Sequence, residues 1–202
     1  DPQLPAFAKH FTVVAWDARG YGNSEDYDGP LEFEEFSADL VRVLDRFGAE
    51  RAHICGLSMG GRIAQDFYRL HPARVATLVL CDTFGGEDPE DLRSGRTQSA
   101  DEFVNSRIQP YLDGADPAER APKAANWLLG PNPRVDALRR AVAAHAELHV
   151  ESYIKTVRAS AGWNRARDLP QIEVPVLLIF GDKDPLTPPH ICLLYTSDAA
   201  DD

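Results

Sequence analysis

Ser58 stands at the centre of Gly56-x-Ser58-x-Gly60, a spacing that suits a serine for nucleophilic attack. A short apolar stretch precedes it and an amphipathic one follows, so the motif joins a strand to a helix, the setting of a nucleophile elbow. Glycines on both flanks permit a tight, strained turn, because neighbouring chains approach where a Cβ would clash. Such a turn lifts the serine hydroxyl clear of the sheet at the N-terminus of the following helix. There the helix dipole and the backbone amide of Met59 can stabilise a developing oxyanion. A serine nucleophile also needs a histidine to take its proton and a carboxylate to hold that histidine in the right tautomer.

The elements that position Ser58 follow from hydrophobic periodicity. The run Phe11-Thr-Val-Val-Ala-Trp16 reads as a buried strand and ends at the glycine-punctuated loop Asp17–Ser24. Phe33, Phe36, Leu40, Val43, Leu44 and Phe47 recur every three or four residues, one face of a helix, and Gly48 follows where a left-handed C-cap residue is wanted. A second strand, about Ala52 to Cys55, leads into the serine turn. The helix after it carries Ile63, Ala64, Phe67 and Leu70 and ends at His71-Pro72. Val75 to Leu80 is almost wholly apolar, as befits a parallel strand covered on both faces.

From about Gly85 to Asp168 no strand is legible, and two or three helical stretches are expected, with Val135, Leu138, Val142, His145 and His149 on one helical face. Strand character returns in Val174–Phe180. Strand–helix alternation implies an α/β fold with a mostly parallel sheet, helices on both faces and a helical insertion. The expected organisation is a core over 1–84, a helical cap over 85–169, and a core strand with its loop over 170–191. Residues 192–202 read as a translated sequencing-library adapter and are set aside. With no initiator Met at Asp1, the chain is expected to be truncated at both ends.

The 202 residues are 44% hydrophobic, enough for one α/β domain. A formal net charge of −11 argues against nucleic acid or an anionic membrane surface as partner. No apolar run is long enough to span a bilayer. Three cysteines without framework spacing fit a reducing, cytoplasmic setting. No metal cluster, phosphate loop or dinucleotide motif occurs, so no cofactor is expected. Oligomeric state is not legible.

Four segments in order, Asp17-Ala-Arg-Gly-Tyr-Gly-Asn-Ser24, His53-Ile-Cys-Gly-Leu-Ser-Met-Gly-Gly61, His71-Pro-Ala-Arg-Val75 and Val174-Pro-Val-Leu-Leu-Ile-Phe-Gly-Asp-Lys-Asp-Pro-Leu-Thr-Pro188, resemble the α/β-hydrolase superfamily. Within it the chain looks most like the 3-oxoadipate enol-lactonase group and its esterase relatives. The resemblance implies that Asp184 is the acid of the triad, with Asp182 a neighbouring decoy and Asp82 in an alternative acid position. It implies the histidine roughly 25 to 30 residues past Asp184. Only His190 follows Asp184, too near it to serve, and His145 and His149 precede it against the family's order. His10, His53 and His71 read as structural. A second oxyanion donor is implied upstream of Asp1.

The reading is therefore a serine hydrolase of a small-molecule carboxylic ester or lactone, acting through an acyl-serine, whose chain as given is expected to be catalytically weak. Hydrolysis of a carbon–carbon bond on the same triad, and a hydrolase-derived binding protein, are the alternatives. Trp127 and Trp163 are candidate pocket walls, with a role in the insertion's own core the competing reading. Arg19 and Arg62 could attract a substrate carboxylate or simply brace loops.

Overall fold

The structure, a computed structural model, describes residues 3–86, 99–184 and 186–187; His190 and residues 192–202 lie outside these. Among the described residues three parallel strands, β1 (Ala52–Leu57), β2 (Val75–Cys81) and β3 (Val176–Ile179), form a sheet in the order β1-β2-β3. Ile54 lies opposite Leu78 and Gly56 opposite Leu80, while Leu80 in turn pairs with Leu178. The register places the carboxyl ends of all three strands side by side, where open α/β sheets bind their ligands.

A short α1 (Gln3–Phe7) precedes the long helices α2 (Glu35–Arg46) and α3 (Met59–Leu70). The apolar stripes of α2 and α3 meet the sheet: Leu40, Leu44, Phe67, Leu78 and Leu80 share one buried cluster. Phe47 falls outside it, being the C-cap of α2 and 59% exposed. Gly48 follows at φ 65°, and the Ala49 amide reaches back to the Leu44 carbonyl, as the sequence predicts for this helix end. The opposite sheet face leaves Leu57 64% and Leu177 56% exposed.

Residues 11–16 depart from expectation. They form no strand, and Phe11 and Val14 are exposed. Apolar β-branched residues become a strand only where a neighbour completes the ladder of hydrogen bonds, and no described strand lies alongside. Trp16 nevertheless packs on the main core cluster, and the Phe11 ring sits 5.7 Å from that of His53.

Among the described residues, α4 (Ala100–Leu112), α5 (Pro117–Leu128), α6 (Val135–Ala146) and α7 (Val150–Ser160) run between β2 and β3, more helices than the two or three expected. Short capped breaks separate them: Ser99 and Glu102 form a capping box on α4, and Asp116 caps α5 ahead of Pro117. The face read through Val135 to His149 is split, because α6 ends before Glu147 and His149 opens α7. That break lets His149 Nδ1 meet Asp26 at 3.0 Å, with the Ser152 hydroxyl donating to the same carboxylate. The insertion leaves and rejoins the core at a single neck. The Arg165 amide donates to the Gly85 carbonyl, and a Cβ on Gly86 would fall 2.1 Å from the Asn164 amide oxygen. No helix among the described residues is long and apolar enough to cross a membrane.

Candidate active site

Ser58 is the single residue between β1 and α3, with φ 51° and ψ −113°. A non-glycine residue there is strained, costing on the order of 1–3 kcal/mol, and persists only where its surroundings over-determine it. They do so here. The Ser58 amide donates to the Cys81 carbonyl at 2.9 Å, and the Thr83 hydroxyl donates to the Ser58 carbonyl at 2.8 Å. Thr83 is buried, so the clamp is shielded from water.

The crowding that demands glycine is distributed differently from the simple motif. A Cβ on Gly56 would lie 2.2 Å from the Gly60 carbonyl oxygen, and one on Gly61 2.4 Å from Thr83, whereas Gly60 itself has open space. Gly56→Ala should therefore cost about 3 kcal/mol or more, at the upper end of overpacking effects, because the clash is with backbone. Gly60→Ala should be far milder. Urea unfolding of the two variants compares them directly, and equal losses would contradict this geometry.

Met59 opens α3, so its N–H is one of the first-turn amides that a helix leaves without an intrahelical partner. The Tyr21 hydroxyl approaches the Met59 sulfur at 3.9 Å, and burial pushes that phenol up to about 12. Cys81 lies beside the serine but is no rival nucleophile. Burial first, then Cys55, raises its thiol to about 11, leaving little thiolate at neutral pH.

The acidic groups gather at the ends of the neighbouring strands. Asp82, at φ 40°, accepts the Gly181 amide at 2.9 Å, and its own amide donates to the Ile179 carbonyl. Asp184 sits in the same loop. Burial pushes its carboxyl up, but the Thr187 hydroxyl and the amides of Leu186 and Thr187 outweigh this and hold it below the ordinary value. Asp82 also helps lower the Asp184 carboxyl, and the two residues flank Gly181. Asp182 is exposed.

Among the described residues no histidine is hydrogen-bonded to Ser58 or Asp184. His53 bonds Thr77, His145 bonds Tyr111, His149 bonds Asp26, and His71 packs on Phe67. Nor, among those residues, does any group of three or more His, Cys, Asp or Glu stand ready to hold a metal.

Arg19 grips Asp39 with two nitrogens at 2.7 and 2.8 Å and Glu35 with a third at 3.1 Å, which raises its pKa; it braces the loop. Arg62 stacks 4.3 Å over the Phe84 ring. Trp163 is buried against Phe33, and its indole N–H donates to Asp66 at 2.8 Å, while Trp127 is 50% exposed.

Asp66 escaped the sequence reading. It is fully buried on α3, and it accepts Trp163, Arg165 at 2.7 Å and Arg69 at 3.4 Å. Its signal was a carboxylate three residues after Ile63 and four before Leu70, on the apolar stripe itself.

The sequence matches the alpha/beta hydrolase fold family over residues 2–201. It is 30% identical over 212 residues to the protein named "Putative carbamate hydrolase RutD" of Azorhizobium caulinodans, covering 99% of this chain and 74% of that one. It is 25% identical over 192 residues to 3-oxoadipate enol-lactonase 1 of Acinetobacter baylyi, covering 92% of this chain and 66% of the relative. The chain thus spans about two thirds of that curated relative's length. The solved structure of a hydrolase from Pseudomonas aeruginosa PA01 superposes with a TM-score of 0.80 at 29% identity, over 97% of this chain and 71% of that one.

Proposed function

The chain belongs to the α/β-hydrolase fold family, and from that membership we propose a serine hydrolase that opens a carboxylic ester or lactone through an acyl-Ser58 intermediate. The observation that carries the reading is the strained backbone of Ser58, φ 51° and ψ −113°, at the junction of β1 and α3. Strain of this kind is held where chemistry needs it.

In this reading Ser58 Oγ attacks the carbonyl carbon and passes its proton to an imidazole. The tetrahedral oxyanion is held by the Met59 amide and the N-terminus of α3. Collapse expels the alcohol, or the tethered alcohol or enol of a lactone, and leaves the acyl on Ser58. Water, activated by the same imidazole, then releases the acid. Asp184 orients the imidazole, with Asp82 beside it as the alternative carboxylate. No described histidine supplies that imidazole, and the expected result is that imidazole in the buffer accelerates turnover. Helices α4 to α7, within 85–169, act as the cap over the core formed by 1–84 and 170–191. Trp127 supplies a half-exposed ring to the pocket wall; Trp163 is largely committed to Asp66. The steps require no cofactor.

The test is trapping. Incubation with p-nitrophenyl butyrate, with imidazole added, should leave one butyryl group on the peptide that carries Ser58, read by intact mass and peptide mapping. Acylation elsewhere, or none in folded protein, would sink the proposal. The identity to the carbamate hydrolase relative favours one second reading, the same acyl-serine steps at a carbamate carbonyl.

A further inference from the structure

Each insertion helix contributes to one polar and aromatic cluster. On α4, the Arg107 guanidinium lies 4.8 Å from the Phe103 ring and 5.7 Å from that of Trp127. On α5, Arg120 lies 5.6 Å from the Tyr111 ring. Tyr111 in turn packs edge-on against Tyr153 of α7 at 5.6 Å, and its hydroxyl is 2.9 Å from His145 Nε2 of α6. Burial raises the Tyr153 phenol, and Arg107 and Arg120 both pull it back down, Arg107 through a hydrogen bond, so both guanidiniums reach one side chain.

Among the described residues no carboxylate forms an ion pair with Arg107 or Arg120, in a chain with 32 acidic residues. The two aspartates between them in sequence are engaged elsewhere: Asp113 accepts the Gln109 amide and Asp116 caps α5. The Nε of Arg120 is buried with no hydrogen-bond partner among the described residues, a costly state for a donor on a cation. The cluster also abuts the nucleophile's helix. Phe103 is shared with Arg62, one turn past Ser58, at 5.8 Å, and Tyr21, which touches Met59, is close enough to Tyr153 for that phenol to help raise its pKa.

We propose that Arg107 and Arg120, framed by Tyr111, Tyr153 and His145, form an anion subsite that receives a carboxylate carried by the substrate. Two guanidiniums offer forked donors matched to a carboxylate, and the aromatic rings exclude water from the pair. The subsite narrows the substrate to an ester or lactone bearing a free carboxylate, and to that extent rests on the hydrolase reading.

Two measurements test it. The first is binding of glutarate, followed by calorimetry, which involves no reaction. The R107Q/R120Q chain should bind glutarate at least tenfold more weakly, and R107K/R120K, which keeps charge but not the fork, should lie between. The second compares mono-p-nitrophenyl glutarate with p-nitrophenyl butyrate, imidazole added. The Gln pair should lose at least tenfold in kcat/KM on the anionic ester and under threefold on the neutral one. In the unsubstituted chain, raising ionic strength from about 0.05 to about 0.5 M should weaken glutarate binding, a measurement that stands even where a variant fails to fold. Unchanged glutarate affinity in the Gln pair, equal losses on both esters, or salt-independent glutarate binding would overturn the subsite. If no ester turns over while glutarate binding depends on the two arginines, the subsite stands and the hydrolase reading falls.

Discussion

Ser58→Ala should abolish acylation and bring imidazole-supported hydrolysis of p-nitrophenyl butyrate to the buffer rate, a loss on the order of a hundredfold or more. The size follows from the division of labour at the elbow. The Met59 amide and the helix N-terminus remain, but with no oxygen to attack the carbonyl they have no tetrahedral intermediate to stabilise. The variant also serves as the blank for hydrolysis by imidazole itself. Ser58→Gly separates chemistry from strain. With no Cβ, glycine takes φ 51° readily, so this variant should be as inactive as Ser58→Ala yet more stable than the unsubstituted chain by about 1 kcal/mol. Hydrolysis above the buffer rate in both variants would remove Ser58 from the mechanism. A glycine variant no more stable than the parent would remove the strain argument.

Asp66→Ala should cost about 3–5 kcal/mol in urea unfolding, the range for removing one partner of a buried charge network. The carboxylate is enclosed, and its loss strands the Trp163 indole N–H and the Arg165 guanidinium together. Arg165 retains its contact with Glu34 and Arg69 pairs with the same residue, so both guanidiniums keep part of their compensation. Trp163→Phe, which keeps most of the packing and removes only the N–H, should cost nearer 1 kcal/mol. In the double variant the losses should fall short of additivity, since both changes break one contact. A loss under about 1 kcal/mol for Asp66→Ala would show that water or a neighbour replaces the carboxylate.

The contrast between these two residues marks what a sequence exposes. The setting of Ser58 is written in some twenty consecutive residues: apolar stretch, glycines, amphipathic helix. Local chemistry of that kind is readable because strand, turn and helix each impose a period on their own segment. Gly48 was legible for the same reason. Asp66 was not, because its partners stand 97 and 99 residues away, and only the misplaced charge on an apolar stripe hinted at them. Residues 11–16 failed in the opposite direction: apolar, aromatic and β-branched, they meet every local condition for a strand, but a ladder is a property of two segments. The arginine pair of α4 and α5 was equally hidden. Helical periodicity places Arg107 and Arg120 on their helices but says nothing about which carboxylates they lack.

The neck at Gly85 and Arg165 makes the insertion a detour that starts and finishes at one point. A detour of this kind can change length without changing the distance the main chain must bridge between β2 and β3. Doubling such a loop costs only about 0.6 kcal/mol in closure entropy. The end of the detour beside the neck belongs to the core, because Trp163 and Arg165 hold the buried Asp66 there. The stretch before it, helices α4 to α6, can change length while the strand register, and with it the position of the serine, stays where it is.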